Sequence, residues 1–264
     1  MKTNTQISML VALIAVIMVA PIVIIVILSF SGDRFLRFPP SSYSLQWYAN
    51  FFSDPGWRRA LMASLAIGLM TSLISTAVGF MAAYALVRGR MRAKKLYLSF
   101  VLLPLIVPHV ITAIAIYYAS VPIGLVGSLP WMAVAHSVVA APIVVLILMS
   151  TLQSVDLNLE RAAFGMGASR VVVIRRVVLP LILPGVLSAA LFSFLTSFDE
   201  LIIALFLSGI ASETLPVRIW NSLRMNVEPV IAAVSAFLIA TTMAILLVDV
   251  ALRRVLGKAR SATA

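Results

Sequence analysis

The sequence predicts an all-α membrane protein with six transmembrane helices, on the basis of its composition, its long apolar runs and its charge distribution. Of the 264 residues, 62% are hydrophobic and only 11% are charged. An average soluble domain has about 25% charged residues, and a soluble chain of this length would need that charge to cover its surface. The apolar runs are long and unbroken, which favours helices over short buried strands.

Six segments reach the roughly 20 apolar residues that a spanning helix requires. They are residues 7–30, 60–87, 96–121, 131–152, 181–207 and 230–252. The first is expected to be a retained helix, because its apolar run exceeds the roughly 7–15 residues of a signal-peptide core and no clear cleavage site follows. Five prolines inside the segments predict bent helices, which neighbouring helices can accommodate: Pro21, Pro104, Pro108, Pro142 and Pro184.

The positive charge is distributed unevenly over the loops. If both termini face the cytoplasm, only six of the 20 Lys and Arg residues lie outside: Arg34, Arg37, Arg58, Arg59, Arg218 and Arg224. This asymmetry follows the positive-inside rule, so the net charge of +11 does not require a nucleic-acid partner. The basic run from Arg88 to Lys95 is expected to contact anionic lipids of the inner leaflet. We treat residues 1–264 as one transmembrane domain.

The outside segment of residues 31–57 is rich in aromatic side chains. One interpretation is an interfacial belt, since amphipathic rings prefer the membrane–water boundary. The other is a landing surface for an extracellular partner.

Motifs for catalysis and nucleotide binding are missing from the sequence. Gly257-Lys258 lacks both the earlier glycine and the following Ser or Thr of a phosphate-binding loop. The sequence has no cysteine and two histidines, His109 and His136, too few for a Cys- or His-based metal cluster. We therefore expect no catalytic residue, no metal and no enzymatic activity in this chain.

A polar segment, residues 156–184, interrupts the apolar sequence on the predicted cytoplasmic side. Asp156 is a plausible N-cap, and Glu160 suits the positive end of a helix. Leu159, Ala163 and Met166 fall on one helix face. The segment is either a docking surface with small residues at the contact or a helix lying with its apolar face in lipid.

The spacing within this segment matches a known pattern: E-A-A, three residues, Gly, nine residues, I-x-L-P. Ala162-Ala163, Gly167 and Leu179-Pro180 match it. Val177 replaces the isoleucine, and Arg161 stands at the acidic position, with Glu160 one place earlier. The segment thus resembles the EAA loop of bacterial ABC-importer permeases.

The resemblance implies an ABC type I importer permease (MetI-like) fold in which residues 156–180 form a cytoplasmic coupling loop. Its helix would sit in a groove of an ATPase subunit and transmit ATP-driven motion to the bundle, with small residues allowing close seating. The residues expected at this contact are Glu160, Arg161, Ala162, Ala163, Gly167 and Ala168.

The resemblance also implies partners and a location. We expect a second, different permease chain, two cytoplasmic ATP-binding subunits that hold ATP-Mg, and a periplasmic solute-binding protein, in the bacterial inner membrane. Residues 43–48, 197–200 and 213–216 are similar to the spermidine/putrescine permease group. That group also includes permeases for opines, phosphonates and other small compounds.

Two carboxylates, Asp199 and Glu200, fall within the predicted fifth span. A charge at mid-bilayer costs roughly 2.5–3.5 kcal/mol on insertion scales, so such residues usually face the protein interior or water. They are either an anionic waypoint for a cationic substrate or part of a salt bridge, for instance with Arg218 or Arg224. A third possibility is a proton relay in a secondary transporter. Asp249 is expected to form a surface pair with Arg253 at i+4.

Overall fold

The computed structural model describes residues 2–225 and 228–261. These residues form twelve α-helices in chain order: α1 (Lys2–Ser29), α2 (Gln46–Ser53), α3 (Pro55–Arg88), α4 (Lys94–Ile106), α5 (His109–Ser120), α6 (Leu129–Gln153), α7 (Leu157–Gly165), α8 (Arg170–Val173), α9 (Leu179–Phe198), α10 (Ile202–Leu207), α11 (Leu215–Met225) and α12 (Val230–Ser261). A π-helical turn, Ile174–Val178, joins α8 to α9. Within the described part of the chain, the β-structure is one isolated antiparallel bridge between Ser31 and Tyr43.

Five helical stretches are long and apolar enough to cross a membrane, which confirms the all-α membrane class. They are Ile7–Ser29, Pro55–Arg88, Leu129–Gln153, Arg170–Phe198 and Val230–Arg254. The pair α4 and α5 brings the number to six if the two helices count as one span.

The predicted span over residues 96–121 is strongly bent, since α4 and α5 meet at 99°. Val107 between them is extended, with ψ of 130°. It precedes Pro108, and a residue before proline is pushed out of the helical conformation. Of the two prolines expected to bend this span, Pro108 lies at the break and Pro104 is accommodated within α4.

The fifth predicted span, residues 181–207, is also divided differently. The helical stretch begins eleven residues earlier, at Arg170, and ends at Phe198. A short break follows, and α10 then covers Ile202–Leu207. The two carboxylates of this segment therefore lie at a break between helices.

The chain divides into two compact units, of which the first contains Met1–Arg59 and Arg218–Met243. Its aromatic segment serves partly as core, since Phe51 is 1% exposed and packs against the rings of Phe52, Trp57 and Phe237. Three other rings of residues 31–57 remain exposed, as a belt or landing surface requires: Phe35, Phe38 and Tyr43. In α1, residues 7–24 are exposed along their whole length.

A loop of the first unit is held by the carboxylate of Asp33. It accepts hydrogen bonds from the hydroxyl group and the backbone N–H of Ser41. These bonds favour the ionised form and hold the pKa of Asp33 below its ordinary value.

The second unit contains Ala60–Val217 and Ala244–Ala264. Its first core cluster surrounds Leu148 and Val173 and includes Ala163 of α7. Its second core cluster surrounds Met132 and Ile203 of α10. The predicted coupling helix and the segment that follows Asp199 and Glu200 thus each pack on a hydrophobic core.

Small and hydroxyl-bearing side chains allow the spans of the second unit to approach closely. A Cβ atom at Gly185 would lie 2.3 Å from Oγ1 of Thr151, so α9 packs directly on α6. Ser72 of α3 donates to the carbonyl oxygen of Ala190 at 2.8 Å. His136 Nδ1 lies 2.8 Å from Ser197 Oγ, so this buried histidine connects α6 to α9.

Candidate functional site

The helix α7 is delimited at both ends by its own sequence. Oδ1 of Asp156 accepts a hydrogen bond from the backbone N–H of Asn158 at 2.9 Å, which confirms the predicted N-cap. At the other end, Gly167 has φ of +84°. The N–H of Gly167 bonds Phe164 O at 2.9 Å, and the N–H of Ala168 bonds Ala163 O at 3.1 Å. This is the Schellman ending, which favours glycine because a Cβ is disfavoured at positive φ.

Glu160 points into the protein and is only 2% exposed. Its Oε1 accepts a hydrogen bond from Nε of Arg88 at 2.7 Å, and its Oε2 accepts one from the hydroxyl of Tyr84 at 3.1 Å. A buried carboxylate requires such partners, because desolvating an unpaired charge is costly. Glu160 is therefore bound to α3 within its own chain.

Arg88 also closes the end of α6. Its Nη2 donates to the carbonyl oxygens of Leu152 at 3.1 Å and Val155 at 2.9 Å. The last carbonyls of a helix lack partners within the helix and are commonly satisfied by basic side chains. One guanidinium thus joins α3, the end of α6 and α7. We call Arg88, Tyr84 and Glu160 the Arg88 junction.

The remaining predicted coupling residues divide into inward and outward positions. Ala163 is buried in the first core cluster, and Ala168 is partly buried against it. Arg161, Ala162 and Gly167 are exposed. The small size of Ala163 therefore serves packing within the chain. Gly167 has open space around its Cβ position, so the backbone conformation is sufficient to explain this glycine.

The predicted helix face also differs from the observed one. Leu159 is 48% exposed and Met166 is 82% exposed, whereas Ala163 is buried. The inward face of α7 is formed by Glu160 with Ala163, at a spacing of three residues. The spacing of Glu160 and Ala163 could have indicated that Glu160 points inward, but its partner Arg88 is 72 residues away in the sequence.

Asp199 and Glu200 occupy different environments at the break between α9 and α10. Oε1 of Glu200 accepts hydrogen bonds from the backbone N–H groups of Ile202 at 2.9 Å and Ile203 at 3.0 Å. Its Oε2 lies 3.5 Å from Nδ1 of His109. Glu200 is buried, and from the position before the N-cap residue Leu201 its carboxylate binds the start of α10 and contacts the start of α5.

Asp199 is exposed and terminates α9 as its C-cap. Among residues 2–225 and 228–261, its carboxylate has no hydrogen-bond or ion-pair partner. The sequence suggested Arg218 as a candidate salt-bridge partner for Asp199 or Glu200. In the first unit, Nη2 of Arg218 lies 3.4 Å from Oδ1 of Asp54.

The predicted pair of Asp249 and Arg253 is confirmed, with Nε of Arg253 2.9 Å from Oδ2 of Asp249. The expectation that it lies on the surface is wrong for Asp249, which is 6% exposed and accepts a second hydrogen bond from Ser188. Within the described residues, no group of three or more His, Cys, Asp or Glu side chains could hold a metal ion.

Comparison with known proteins identifies the family. The family described as "Binding-protein-dependent transport system inner membrane component" matches residues 75–257. The chain belongs to this family. It is the permease subunit of an ABC importer and a multi-pass protein of the inner membrane.

Two relatives and one solved structure show how far the similarity extends. The permease is 29% identical over 229 residues to a spermidine/putrescine transport system permease protein of Haemophilus influenzae, covering 87% of this chain and 89% of that protein. It is 31% identical to a putrescine transport system permease protein of Escherichia coli, covering 83% and 80%. A bacterial ABC transporter that imports the acidic polysaccharide alginate has the same fold, with a TM-score of 0.72 at 17% identity over 93% of this chain and 94% of that one.

Proposed function

We propose that this permease imports polyamines or a similar small organic cation, driven by ATP hydrolysis on partner subunits. The relatives named for spermidine and putrescine support this substrate class. The structural observation that supports a cationic substrate is the exposed carboxylate of Asp199, which is unpaired at the break between α9 and α10. A carboxylate at a gap between spans attracts a cation and repels an anion.

The proposed coupling element is α7, which docks on an ATPase subunit. Its exposed face, which includes Arg161, Ala162 and Phe164, is available for this contact. The Arg88 junction ties the opposite face to α3 and α6. Because α7 is fixed to two spans, a rigid-body displacement of α7 moves those spans with it.

This mechanism requires particular partners and a particular orientation. The complex consists of this permease, a second and different permease, two ATP-binding subunits that hold ATP-Mg, and a periplasmic solute-binding protein. Both termini face the cytoplasm, which places α7 on the side of the ATPases and agrees with the positive-inside distribution of Lys and Arg.

Reconstitution of the complex into proteoliposomes tests the proposed function. With the cognate binding protein and ATP, we expect uptake of radiolabelled putrescine or spermidine, and no uptake when ATP is replaced by a non-hydrolysable analogue. Opines, phosphonates and a neutral sugar serve as competing substrates. Uptake of one of these without polyamine uptake would overturn the substrate assignment, and uptake driven by a proton gradient without ATP would overturn the coupling mechanism.

The role of Asp199 is tested separately from that of the binding protein. Asp199→Asn removes the charge with little change in volume, and Asp199→Glu preserves the charge. We expect the Asn variant to reduce cation uptake about tenfold, equivalent to about 1.4 kcal/mol, and the Glu variant to retain most of the uptake. If the Asn variant transports as well as the unmodified permease, Asp199 is not on the substrate pathway.

A further inference from the structure

A cationic groove lies beside α7 in the second unit. It has a volume of about 630 Å³ and is bounded by the end of α3, the residues that follow it, and α7. Its apolar part includes Leu157, 38% exposed, and Phe164, 41% exposed. Four arginines line it: Arg88, Arg90, Arg161 and Arg170. The groove therefore combines apolar surface with several guanidinium groups.

The charge of the groove is not balanced within the chain. Glu160 is the only carboxylate among its lining residues, and Arg88 already pairs with it at 2.7 Å. Arg90, Arg161 and Arg170 are exposed, and none of them pairs with a carboxylate in residues 2–225 and 228–261. The contact of Arg161 is with Oδ1 of Asn158, at 3.4 Å.

Three unpaired guanidinium groups specify the chemistry of an occupant. Arginine presents several N–H donors in a planar arrangement that matches carboxylates in bidentate geometry. Surface arginines of like sign at one groove raise the local positive potential and attract an acidic partner. The exposed Phe164 and Leu157 add apolar contact area that a protein segment can cover.

We propose that this groove binds an acidic segment of the partner ATPase, whose Asp or Glu side chains pair with Arg161, Arg170 and Arg90. The inference rests on the proposed docking of α7 and adds the chemistry of the contact. Arg161 stands at the acidic position of the EAA pattern, so the matching surface on the ATPase carries the opposite charge. The segment enters between α7 and the residues that follow α3.

A protein segment fits the groove better than an anionic lipid headgroup does. Arg161 lies on the exposed face of α7, on the helix that we propose to dock on the ATPase. A second basic set, Arg92, Lys94 and Lys95, lies outside the groove lining and at the start of the apolar α4. That set is placed to contact lipid phosphates, whereas the groove follows the polar helix.

Site-specific crosslinking is the first test. Because the chain contains no cysteine, an introduced cysteine is the single thiol of the permease that can be labelled. Arg161→Cys is labelled with a photoreactive maleimide in the complete complex with the second permease and the ATPases. We expect crosslinks to an ATPase peptide rich in Asp and Glu. The matched control is Arg254→Cys, an exposed arginine of α12 outside the groove lining, which should not give this peptide. Crosslinks from position 161 to lipid or to a non-acidic ATPase peptide would overturn the proposal.

Affinity measurements with charge variants are the second test. Arg161→Gln should weaken ATPase binding about five- to tenfold, and Arg161→Glu should weaken it more, with a reduced dependence on salt. Arg254→Gln, which changes an exposed arginine outside the groove lining, is the control and should bind normally. Replacing the crosslinked acidic residue of the ATPase by Lys should restore binding to the Arg161→Glu permease.

The outcomes separate this inference from the proposed function. If the unmodified permease binds no ATPase, the proposed function fails and the groove assignment fails with it. If the unmodified permease and both Arg161 variants bind the ATPase equally, docking holds and only the groove assignment is wrong.

Discussion

The α7 region and the α9–α10 break each place a buried glutamate beside an exposed charged neighbour. Glu160 is 2% exposed and its neighbour Arg161 is exposed, while Glu200 is 7% exposed and its neighbour Asp199 is exposed. In both regions the buried carboxylate is satisfied by its own chain. Within residues 2–225 and 228–261, neither exposed neighbour forms an ion pair with the chain.

The two regions differ in what satisfies the glutamate. Glu160 is neutralised by the guanidinium of Arg88 on another helix, so this contact connects distant parts of the sequence. Glu200 binds two backbone N–H groups of the next three residues, so this contact is mostly local. A buried ion pair loses a counter-charge when one partner is removed, whereas a helix cap loses hydrogen bonds. The difference predicts unequal costs for the two glutamates.

The largest effect is expected for Glu160→Gln, which leaves Arg88 charged and without a counter-ion. The side chain of Arg88 is 13% exposed and that of Glu160 is 3% exposed. Removing one partner of a buried pair costs about 3–5 kcal/mol. We expect a loss near the lower bound in denaturant unfolding of the purified permease, followed by circular dichroism.

A control and a double variant separate the ion pair from general damage. Arg92→Gln removes an exposed arginine of the same segment and should change stability by less than about 0.5 kcal/mol. Replacing Arg88 and Glu160 together by Met should be less harmful than the sum of the single changes. Strict additivity would show that the two side chains do not interact.

A smaller effect is expected for Glu200→Ala, which removes two bonds to the start of α10 and the contact with His109. Hydrogen bonds to a charged group contribute about 1.5–3 kcal/mol, and a lost cap typically costs about 1 kcal/mol. We expect a loss of about 2 kcal/mol in the same unfolding measurement. Asp199→Ala should change stability by less than about 0.5 kcal/mol, and a larger loss would mean that Asp199 also has a structural role.

The sequence revealed local contacts in these regions and missed distant ones. The N-cap at Asp156 was predicted because it depends on residues within one helical turn. The burial of Glu160 was not predicted, since it depends on Arg88 of another span. The break after Phe198 was missed as well, because the apolar sequence continues on both sides of Asp199 and Glu200. Spans follow from composition, but the orientation of a charged side chain follows from its tertiary partner.

A third prediction concerns two glycines near the end of α7 that look equivalent in the sequence. Gly167 has φ of +84°, whereas Gly165 is the last helical residue of α7. Both glycines have open space at the Cβ position. Gly167→Ala should destabilise the permease by about 1 kcal/mol because of backbone strain. Gly165→Ala should stabilise it by up to about 1 kcal/mol through helix propensity. Equal effects in the unfolding measurement would contradict the assignment of Gly167 as the helix end.

The smallest effect is expected for Arg253→Gln, which breaks the i+4 pair with Asp249. The distance from Nε to the carboxylate is 2.9 Å, similar to the 2.7 Å between Arg88 and Glu160, but the side chain of Arg253 is 53% exposed. Water can replace an exposed guanidinium, and Asp249 retains its bond from Ser188. Such pairs contribute about 0.3–0.5 kcal/mol, so the variant should unfold almost like the unmodified permease. A loss as large as that expected for Glu160→Gln would show that contact distance, rather than burial of the arginine, determines the strength of these pairs.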